Sequence, residues 1–404
     1  MATTVEAAAL RGAAIAGLGI TETGKVYGRT TLDFAADAVR RAVADAGLAL
    51  DDVDGLLLSN GVTGGVDFRL QRDLGLRDLR MLSAITAYGA TAVAMVQYAA
   101  QAIAAGLATT VACVHADAPL KPNVASGDVY RAGKTGPRGF IGLAMAAGVR
   151  GPNAGYALAA SRHMARYGTT SEQLGAIAVS QRAWAAMNPL ARFRDPITIE
   201  DHQASRWVVE PLHLLDCCMV SNGGIAVVVT SGERARDLAQ PPVHLWGWAQ
   251  THTGDAMARG SEFGLRTGAA VAAPAAMEMA GITPADVDIR ELYDCYTYTC
   301  LVTLEDYGFC AKGEGGQLAA SGALGPGGAM PTNTGGGQLS SYYLWGMTPL
   351  SEAVIQVRGQ GGERQVPRHD VAVVSGNGGL LDHHATLVLG RQPAAGQRDG
   401  RLQG

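Results

Sequence analysis

Apolar positions recur at helical spacing in two segments of the chain, and each segment ends in a short apolar run. The first, Ala35 to Asn60, reads AADAVRRAVADAGLALDDVDGLLLSN, and the second, Ala269 to Asp294, reads AAVAAPAAMEMAGITPADVDIRELYD. The two align without a gap and share the pattern A-G-[LI]-x-x-x-D-V-D. Each predicts a helix that ends near a glycine, Gly47 or Gly281, and then a strand. The pattern therefore indicates an internal duplication of a helix–strand unit.

A second helix–strand pair follows each copy. After the first copy, AYGATAVAMVQYAAQAIAAG predicts a helix of small residues and TTVACVHAD a strand. After the second, LSEAVIQVRGQ predicts the end of a helix and DVAVVSGNGG a strand. Apolar strands that alternate with helices favour parallel sheets covered by helices. Since the unit is duplicated, we predict two such layers packed face to face, an α/β fold built as a five-layer α/β/α/β/α sandwich.

An insertion from about Pro119 to Asp216 separates the two halves. Its first part, APLKPNVASGDVYRAGKTGPRGF, has the composition of a loop, and its second, GYALAASRHMARYGTTSEQLGAIAVSQRAWAAMNP, predicts two helices. Thr170 and Gln173 have the spacing of a capping box. We therefore predict an N-terminal half over 1–118 and 217–262, an inserted loop domain over 119–216, a C-terminal half over 263–390 and a disordered tail over 391–404.

Composition excludes several classes of protein. The 404 residues are 48% hydrophobic and 17% charged, as in ordinary globular proteins, and the net charge of -4 disfavours nucleic acid as a partner. No run approaches the ~18 apolar residues of a membrane span, and the N-terminus lacks the pattern of a signal peptide, so we expect a cytoplasmic protein. The six cysteines show no paired zinc-site spacing, and we expect reduced thiols.

Longer motifs resemble those of the thiolase superfamily. They read HMARYGTTSEQLGAIAVSQRAWAAMNPLARF, PLHLLDCCMVSNGGIAVVV and ELYDCYTYTCLVTLEDYGFCAKGEGG, and they occur in the family's order over about Arg11 to Gly390. Within the superfamily the chain most resembles the sterol-carrier-type thiolases, or lipid-transfer proteins. The resemblance implies a duplicated thiolase fold with an inserted loop domain, and chemistry on acyl-CoA thioesters.

The resemblance also points to four catalytic motifs, and all four are altered. Thiolases use a nucleophilic cysteine in C-x-x-G, histidines in N-x-H-G-G and G-H-P-x-G, and a second cysteine in C-x-G. The matching positions here hold Thr86, Gly335, Tyr343 and Ser375. Thiolysis needs a thiolate to accept the acyl group, because a hydroxyl without an adjacent base is a poor nucleophile. A Claisen or thiolysis reaction is therefore disfavoured.

Two tyrosines stand at altered motif positions. Tyr343 replaces the histidine of G-H-P-x-G, and Tyr293 begins the segment that matches H-D-C-F in sterol-carrier-type thiolases. Because α/β sheets place ligands at strand ends, we predict that both side chains converge on one pocket. Phenols can serve as general acid or base. A retro-aldol cleavage needs both an acid and a base, and it needs no acyl-enzyme.

This pattern resembles the thiolase-like aldolases of bacterial steroid side-chain degradation, which lack the thiolase cysteines. The resemblance implies that Tyr293 and Tyr343 are the catalytic pair. It implies cleavage of a β-hydroxyacyl-CoA, with a steroid acyl group, into a ketone and propionyl-CoA or acetyl-CoA. It also implies a homodimer and a partner protein with a zinc ribbon and an OB-fold, together a heterotetramer. No cofactor is implied, since CoA is part of the substrate.

Further site candidates lie on or beside the matched motifs. Asp294, Asn333 and Ser375 are expected to orient a tyrosine, to hold the thioester oxygen, or to make ordinary loop hydrogen bonds. Tyr88 is a candidate to reach the place toward which the missing cysteine would have pointed. The other supporting candidates are Gly335, Gly336 and Thr86. No metal site is expected, because the pair His383 and His384 has no carboxylate at coordinating spacing.

The sequence leaves two other functions open. One is acyl transfer through an atypical nucleophile, Thr86 or Ser375, which predicts an acylated enzyme. The other is a non-catalytic role in lipid transfer or as a structural subunit. That role predicts that Tyr293 and Tyr343 can both be replaced without loss of function.

Overall fold

The computed structural model describes residues 12–129, 142–149, 151–254 and 262–394. Its strands are β1 (Ala13–Ile20), β2 (Gly55–Asn60), β3 (Met81–Ala84), β4 (Thr110–Asp117), β5 (Trp207–Val209), β6 (Leu212–His213), β7 (Gly223–Ser231), β8 (Val243–His252), β9 (Ile289–Glu291), β10 (Val371–Gly378) and β11 (His383–Gly390). Its α-helices are α1 (Thr31–Asp45), α2 (Arg69–Leu74), α3 (Thr91–Ala104), α4 (Leu143–Ala146), α5 (Pro152–Tyr167), α6 (Ser171–Ala186), α7 (Ile199–Ala204), α8 (Gly232–Ala235), α9 (Ala269–Ala280), α10 (Thr297–Asp306), α11 (Gly315–Ala320) and α12 (Met347–Val357).

Both predicted helix–strand units are present. Helix α1 leads into β2 and α9 into β9, and the second pairs, α3 with β4 and α12 with β10, follow them. The glycines after α1 and α9, Gly47 at φ +73° and Gly281 at φ +71°, lie in the left-handed region. Glycine adopts this conformation without a steric cost, so each helix ends where the pattern predicts.

The main sheet is mixed, which corrects the prediction of parallel sheets. Its nine strands follow the order β3-β2-β4-β7-β1-β8-β11-β10-β9 within the described part of the chain. The pairs β2–β3, β2–β4 and β9–β10 are parallel, whereas the pairs around β1, β7, β8 and β11 are antiparallel. The short turn between β10 and β11 suits an antiparallel pair, since a parallel one needs a long crossover.

The two halves of the sheet meet edge to edge at β1 and β8. β1 pairs with β7 along its length, and residues Ala14 and Ile15 also pair with His244 and Val243 of β8. Hydrogen bonding therefore continues from one half into the other. The sequence pattern predicts two layers packed face to face, and the structure shows that the strands of both layers belong to one continuous sheet. The join connects strands more than 200 positions apart, and a local hydrophobic pattern carries no information about such a contact.

The helices form three layers, which confirms the five-layer sandwich. Helix α1 packs on β1, β4 and β7 on one outer face, and α9 packs on β8 and β11 on the other. Helices α3 and α12 lie in the middle, because each contacts strands of both halves. Ala92, Ala99 and Ala100 of α3 are buried there, and their small side chains allow two strand layers to approach the helix.

The insertion supplies two long helices, as predicted. Helices α5 and α6 are joined through Thr170, whose side chain accepts a hydrogen bond from the amide of Gln173 while Gln173 bonds back, a complete capping box. Part of the predicted loop (130–141 and 150) and the end of the predicted tail (395–404) lie outside the described residues. The domain bounds stay a prediction. Strand β8, which we assigned to the N-terminal half, pairs along its length with β11.

Within the described ranges, helices of sufficient length and apolar character to cross a bilayer are absent. The cytoplasmic location stays a prediction.

Candidate active site

Tyr293 and Tyr343, here called the tyrosine pair, reach each other from two different segments. Tyr293 follows the end of β9, and Tyr343 follows a single π-helical turn, Gly337–Ser341. Their hydroxyl oxygens lie 3.2 Å apart. Tyr293 is 3% exposed and Tyr343 is half-buried, so the hydrogen-bonded hydroxyls lie at the edge of the core. The structure brings together the two side chains that the motif comparison selected.

Asn333 and Ser375 hold the backbone that carries Tyr293. The Leu292 amide donates to Asn333 Oδ1 at 2.6 Å, and the Tyr293 amide donates to Ser375 Oγ at 2.8 Å. Both side chains are fully buried. Of the roles expected for these two residues, the structure therefore supports orientation of a tyrosine.

Ser221 does the same for Tyr343. Its Oγ accepts a hydrogen bond from the Tyr343 amide at 3.0 Å. Sequence reasoning missed this residue, although it lies in the segment CCMVSNGG that carried the family resemblance. A serine that binds a backbone amide more than 100 positions away leaves no local pattern by which to find it.

Tyr156 of helix α5 is a third phenol at the site, and it was also missed. Its ring centre lies 4.5 Å from that of Tyr296, its hydroxyl interacts with the Cys295 thiol, and a charge on Tyr343 would raise the pKa of Tyr156. The sequence around it predicted only a helix of the insertion. The insertion therefore reaches the site directly, through the first turns of α5.

Burial keeps the phenols protonated. It raises the pKa of Tyr293 well above its usual value, and a charge on Tyr343 or Cys295 would raise it further. The pKa of Tyr156 is raised for the same first reason, with Cys295 as the next cause. A buried hydroxyl of this kind is a hydrogen-bond donor at neutral pH. Two such hydroxyls in contact can pass a proton between them.

The glycine-rich floor has a packing role. Gly336 lies at φ +96°, and a Cβ atom there would stand 2.5 Å from Ala185 Cβ of helix α6. A Cβ atom at Gly335 would stand 2.8 Å from Glu352 Oε2. Glu352 is buried and paired with Arg364, whose Nε lies 2.9 Å from Oε1. The position of the absent histidine therefore faces a buried ion pair.

Asp294 supports the turn that leads to Tyr343. Its carboxylate is fully buried and accepts hydrogen bonds from the Gln338 amide at 2.9 and 3.0 Å and from the Leu339 amide at 3.4 Å. Burial raises the pKa of Asp294 to about 7, although these amide bonds oppose the rise. Asp294 thus links the segment of one tyrosine to the segment of the other.

Thr86 and Tyr88 lie before helix α3. Thr86 is exposed, and none of the described contacts joins its hydroxyl to the tyrosine pair. Tyr88 is 52% exposed at φ +50°, and its ring lies near those of Trp345 (6.2 Å) and His383 (6.1 Å). The next residue, Gly89, contacts the pair directly, because a Cβ atom there would lie 2.2 Å from Tyr293 Cζ.

The histidines near these strand ends are engaged in contacts with other side chains. His384 is buried against Tyr307, and His383 Nδ1 lies 3.1 Å from His252 Nδ1. Among the described residues, clusters of three or more His, Cys, Asp or Glu side chains arranged to hold a metal ion are absent.

Three comparisons relate the chain to known proteins. The family model described as thiolase C-terminal domain-like matches residues 249–391. The chain is 42% identical to a steroid side-chain-cleaving aldolase of Thermomonospora curvata, over 91% of this chain and 95% of that protein. It is 40% identical to a 17-hydroxy-3-oxo-4-pregnene-20-carboxyl-CoA lyase of Mycobacterium tuberculosis, over 91% and 96%. The solved Ltp2-ChsH2(DUF35) aldolase superposes with a TM-score of 0.85 at 39% identity, covering 94% of this chain and 98% of that one.

We predict that Gly89→Ala disrupts the junction at the tyrosine pair. The added methyl group would stand 2.2 Å from both Tyr293 Cζ and the Asn377 carbonyl oxygen, so backbone as well as side chain must shift. We expect the free energy of unfolding in urea to fall by about 1–3 kcal/mol or more. Gly127→Ala is the matched control, because a Cβ atom there meets nothing within 4 Å. Equal stability of the two variants would contradict the proposed crowding at Gly89.

We predict that Asp294→Asn flattens the pH dependence of stability. The pKa of Asp294 is about 7 in the folded chain and 3.8 without the fold, so the folded state binds the extra proton between these values. The stabilisation that the protonated Asp294 contributes is therefore complete below pH 4 and is lost as the pH rises through 7. Wild-type unfolding free energy should fall by about 2–3 kcal/mol from pH 5 to pH 8 because of this group. Urea titrations of the wild type and the variant at both pH values test this. If the unfolding free energy of the variant falls between pH 5 and pH 8 by as much as that of the wild type, the prediction is refuted.

Proposed function

We propose a retro-aldol lyase function for this chain, which belongs to the thiolase superfamily and, within it, to the family of the steroid side-chain-cleaving aldolases. The proposed substrate is a β-hydroxyacyl-CoA with a steroid acyl group, and the products are a ketone and propionyl-CoA or acetyl-CoA. The observation that carries the proposal is the 3.2 Å contact between the hydroxyls of Tyr293 and Tyr343. The relatives named above support the substrate class.

The tyrosine pair can carry the required proton without a charged intermediate on the enzyme. The β-hydroxyl gives its proton to one phenol oxygen as the bond between the α- and β-carbons breaks. The β-carbon becomes the ketone carbon, and the electron pair of the broken bond becomes the thioester enolate. The first phenol passes its own proton to the second phenol, which at the same time gives its proton to the α-carbon of the enolate. Because burial opposes ionisation of Tyr293, a transfer between neutral phenols suits this site.

The structure disfavours acyl transfer through the atypical nucleophiles. Ser375 Oγ is fully buried and already accepts the Tyr293 amide. Thr86 is exposed on a loop, without a histidine or carboxylate in contact with it among the described residues. A hydroxyl needs such a base to attack a thioester. The lyase mechanism makes no use of an acyl-enzyme, so it agrees with both observations.

We predict that Tyr343→Phe and Tyr293→Phe each lower kcat on the order of 100-fold or more, because each removes one member of the proton path. The assay is release of propionyl-CoA or acetyl-CoA from a steroid β-hydroxyacyl-CoA. Tyr342→Phe is the matched control, since its hydroxyl bonds Ser351 at 3.0 Å instead of the pair. Near-normal turnover in both pair variants would exclude their catalytic role and favour a non-catalytic subunit.

We also propose that the chain forms a homodimer and binds a zinc-ribbon/OB-fold partner, giving a heterotetramer. The solved neighbour at a TM-score of 0.85 has two components in its name, Ltp2 and ChsH2(DUF35). In this chain, β3 is the last strand on one side of the sheet and is only half-buried. An edge strand offers unpaired backbone groups to a second chain.

Light scattering tests the assembly in two steps. The chain alone should have the mass of two chains. After co-expression with a DUF35-type protein, the complex should have the mass of two chains of each kind. If the chain has the mass of one chain both alone and after co-expression with the DUF35-type protein, the proposed assembly is wrong. The assignment of the tyrosine pair does not depend on that result.

A further inference from the structure

A buried line of hydroxyls runs beneath Tyr293. Ser375 of β10 and Thr386 of β11 lie opposite each other in the sheet, and His384 lies two residues before Thr386. Tyr307, which follows helix α10, lies against all three. Its hydroxyl is 2.6 Å from Thr386 Oγ1 and 2.9 Å from His384 Nε2, and it also interacts with the Ser375 hydroxyl. These four side chains are at most 2% exposed.

Donors and acceptors in this line can be satisfied in one direction. A tyrosine hydroxyl has one proton to donate and two lone pairs that accept. Burial raises the pKa of Tyr307, so Tyr307 keeps its own proton, and the hydroxyls of Thr386 and Ser375 each have a proton that the Tyr307 oxygen can accept. The proton of Tyr307 then has His384 Nε2 as its acceptor. The line runs from the Tyr293 amide to Ser375, from Ser375 to Tyr307, and from Tyr307 to His384.

This direction requires a neutral His384 whose ring proton is on Nδ1, so that Nε2 accepts. An imidazolium would present an N–H group at Nε2, and the Tyr307 proton would lose its acceptor. Burial lowers the pKa of His384 to about 3, so the imidazole is neutral at ordinary pH. Tyr307 keeps its proton under the same conditions, because burial raises its pKa. The line is therefore complete at neutral pH.

Ser375 is the member that matters for Tyr293. An isolated serine hydroxyl can rotate and point its proton at any neighbour, whereas one that donates to Tyr307 has its lone pairs fixed toward the Tyr293 amide. The other tyrosine has a simpler anchor, in which its amide bonds Ser221 Oγ at 3.0 Å. Tyr293 is also the more deeply buried of the two. Its orientation therefore depends on groups inside the core.

We propose that Ser375, Tyr307 and His384 form a positioning relay that fixes the backbone of Tyr293 and thereby keeps its hydroxyl 3.2 Å from that of Tyr343. This inference rests on the proposed function, because it assigns the relay a purpose only if Tyr293 takes part in the reaction. The relay residues touch the tyrosine segment and its supports, so their effect on the reaction is indirect. Ser375, at the position of a thiolase cysteine, acts here as an anchor.

The test compares Tyr307→Phe with Thr386→Val. Tyr307→Phe keeps the ring but breaks the relay, and we expect kcat to fall on the order of 10- to 100-fold with KM unchanged, since small misplacements of reacting groups cost this much. Thr386→Val removes the hydroxyl that contacts Tyr307 at 2.6 Å and leaves Ser375, Tyr307 and His384 in place, so kcat should stay within about threefold. Equal effects of both variants would show a merely structural cluster and would overturn the proposal.

His384 provides a rescue experiment. His384→Gln retains an acceptor for the Tyr307 proton and should keep most of the turnover, whereas His384→Leu has none and should match Tyr307→Phe. Urea titrations of all four variants check that differences in kcat do not follow the free energy of unfolding. If the glutamine variant is as impaired as the leucine variant, an acceptor at this position is not what the reaction needs and the relay is wrong.

A second readout is independent of turnover. In protein labelled with [¹³Cζ]tyrosine, the Tyr293 resonance is identified by its loss in Tyr293→Phe. It should shift in Tyr307→Phe and stay in place in Thr386→Val. If Tyr293→Phe leaves turnover normal, the proposed function fails, and the resonance still reports whether the relay sets the environment of Tyr293. An unmoved resonance in Tyr307→Phe would refute the relay itself.

Discussion

Close contact between backbones at the start of helix α3 is the constraint on which the site depends. The side chain of Tyr293 and the carbonyl oxygen of Asn377, near the end of β10, both approach Gly89 to a distance that leaves no room for a Cβ atom. Three glycines of the C-terminal half allow the same close approach. A Cβ atom at Gly346 would lie 2.5 Å from the Gly89 carbonyl oxygen, and one at Gly376 would lie 2.8 Å from the same atom. A Cβ atom at Gly378 would lie 2.4 Å from the Ala87 carbonyl oxygen. Segments from both halves therefore converge on one point.

This junction explains why the glycines of the altered motifs remain although the catalytic residues differ. Gly346 ends the segment YYLWG and Gly376 and Gly378 belong to SGNGG, the two signatures that now hold Tyr343 and Ser375. The glycines are needed to bring the halves together, whatever chemistry the neighbouring side chains perform. Tyr343 and Ser375 lie beside these glycines, and their side chains can differ without a change in the backbone contacts that the glycines allow.

The sequence predicted those features that depend on local pattern or on motif position. Helices α1 and α9 end at glycines that the spacing identified, and Tyr293 and Tyr343 meet because their motifs occupy fixed places in the fold. The mixed sheet and its join at β1 and β8 were not predictable, since strand direction is set by connections and by distant partners. Ser221 and Tyr156 escaped for a related reason. Each contributes through a contact more than 100 positions away, and neither residue type is unusual where it stands.

The absent histidine at position 335 has a physical explanation that the sequence alone did not provide. A side chain at position 335 would point at Glu352. The Glu352 carboxylate is paired with Arg364 and accepts a hydrogen bond from the Thr334 hydroxyl at 3.1 Å. Glu291 shares that hydroxyl at 2.7 Å, and its burial beside Glu352 raises the pKa of Glu291 well above the usual value. An imidazole placed there would have to displace this buried network, at the cost of leaving a charged group without its partners. A side chain at position 335 and the Glu352–Arg364 ion pair therefore compete for the same space, so a substitution at position 335 also requires a change in this pair.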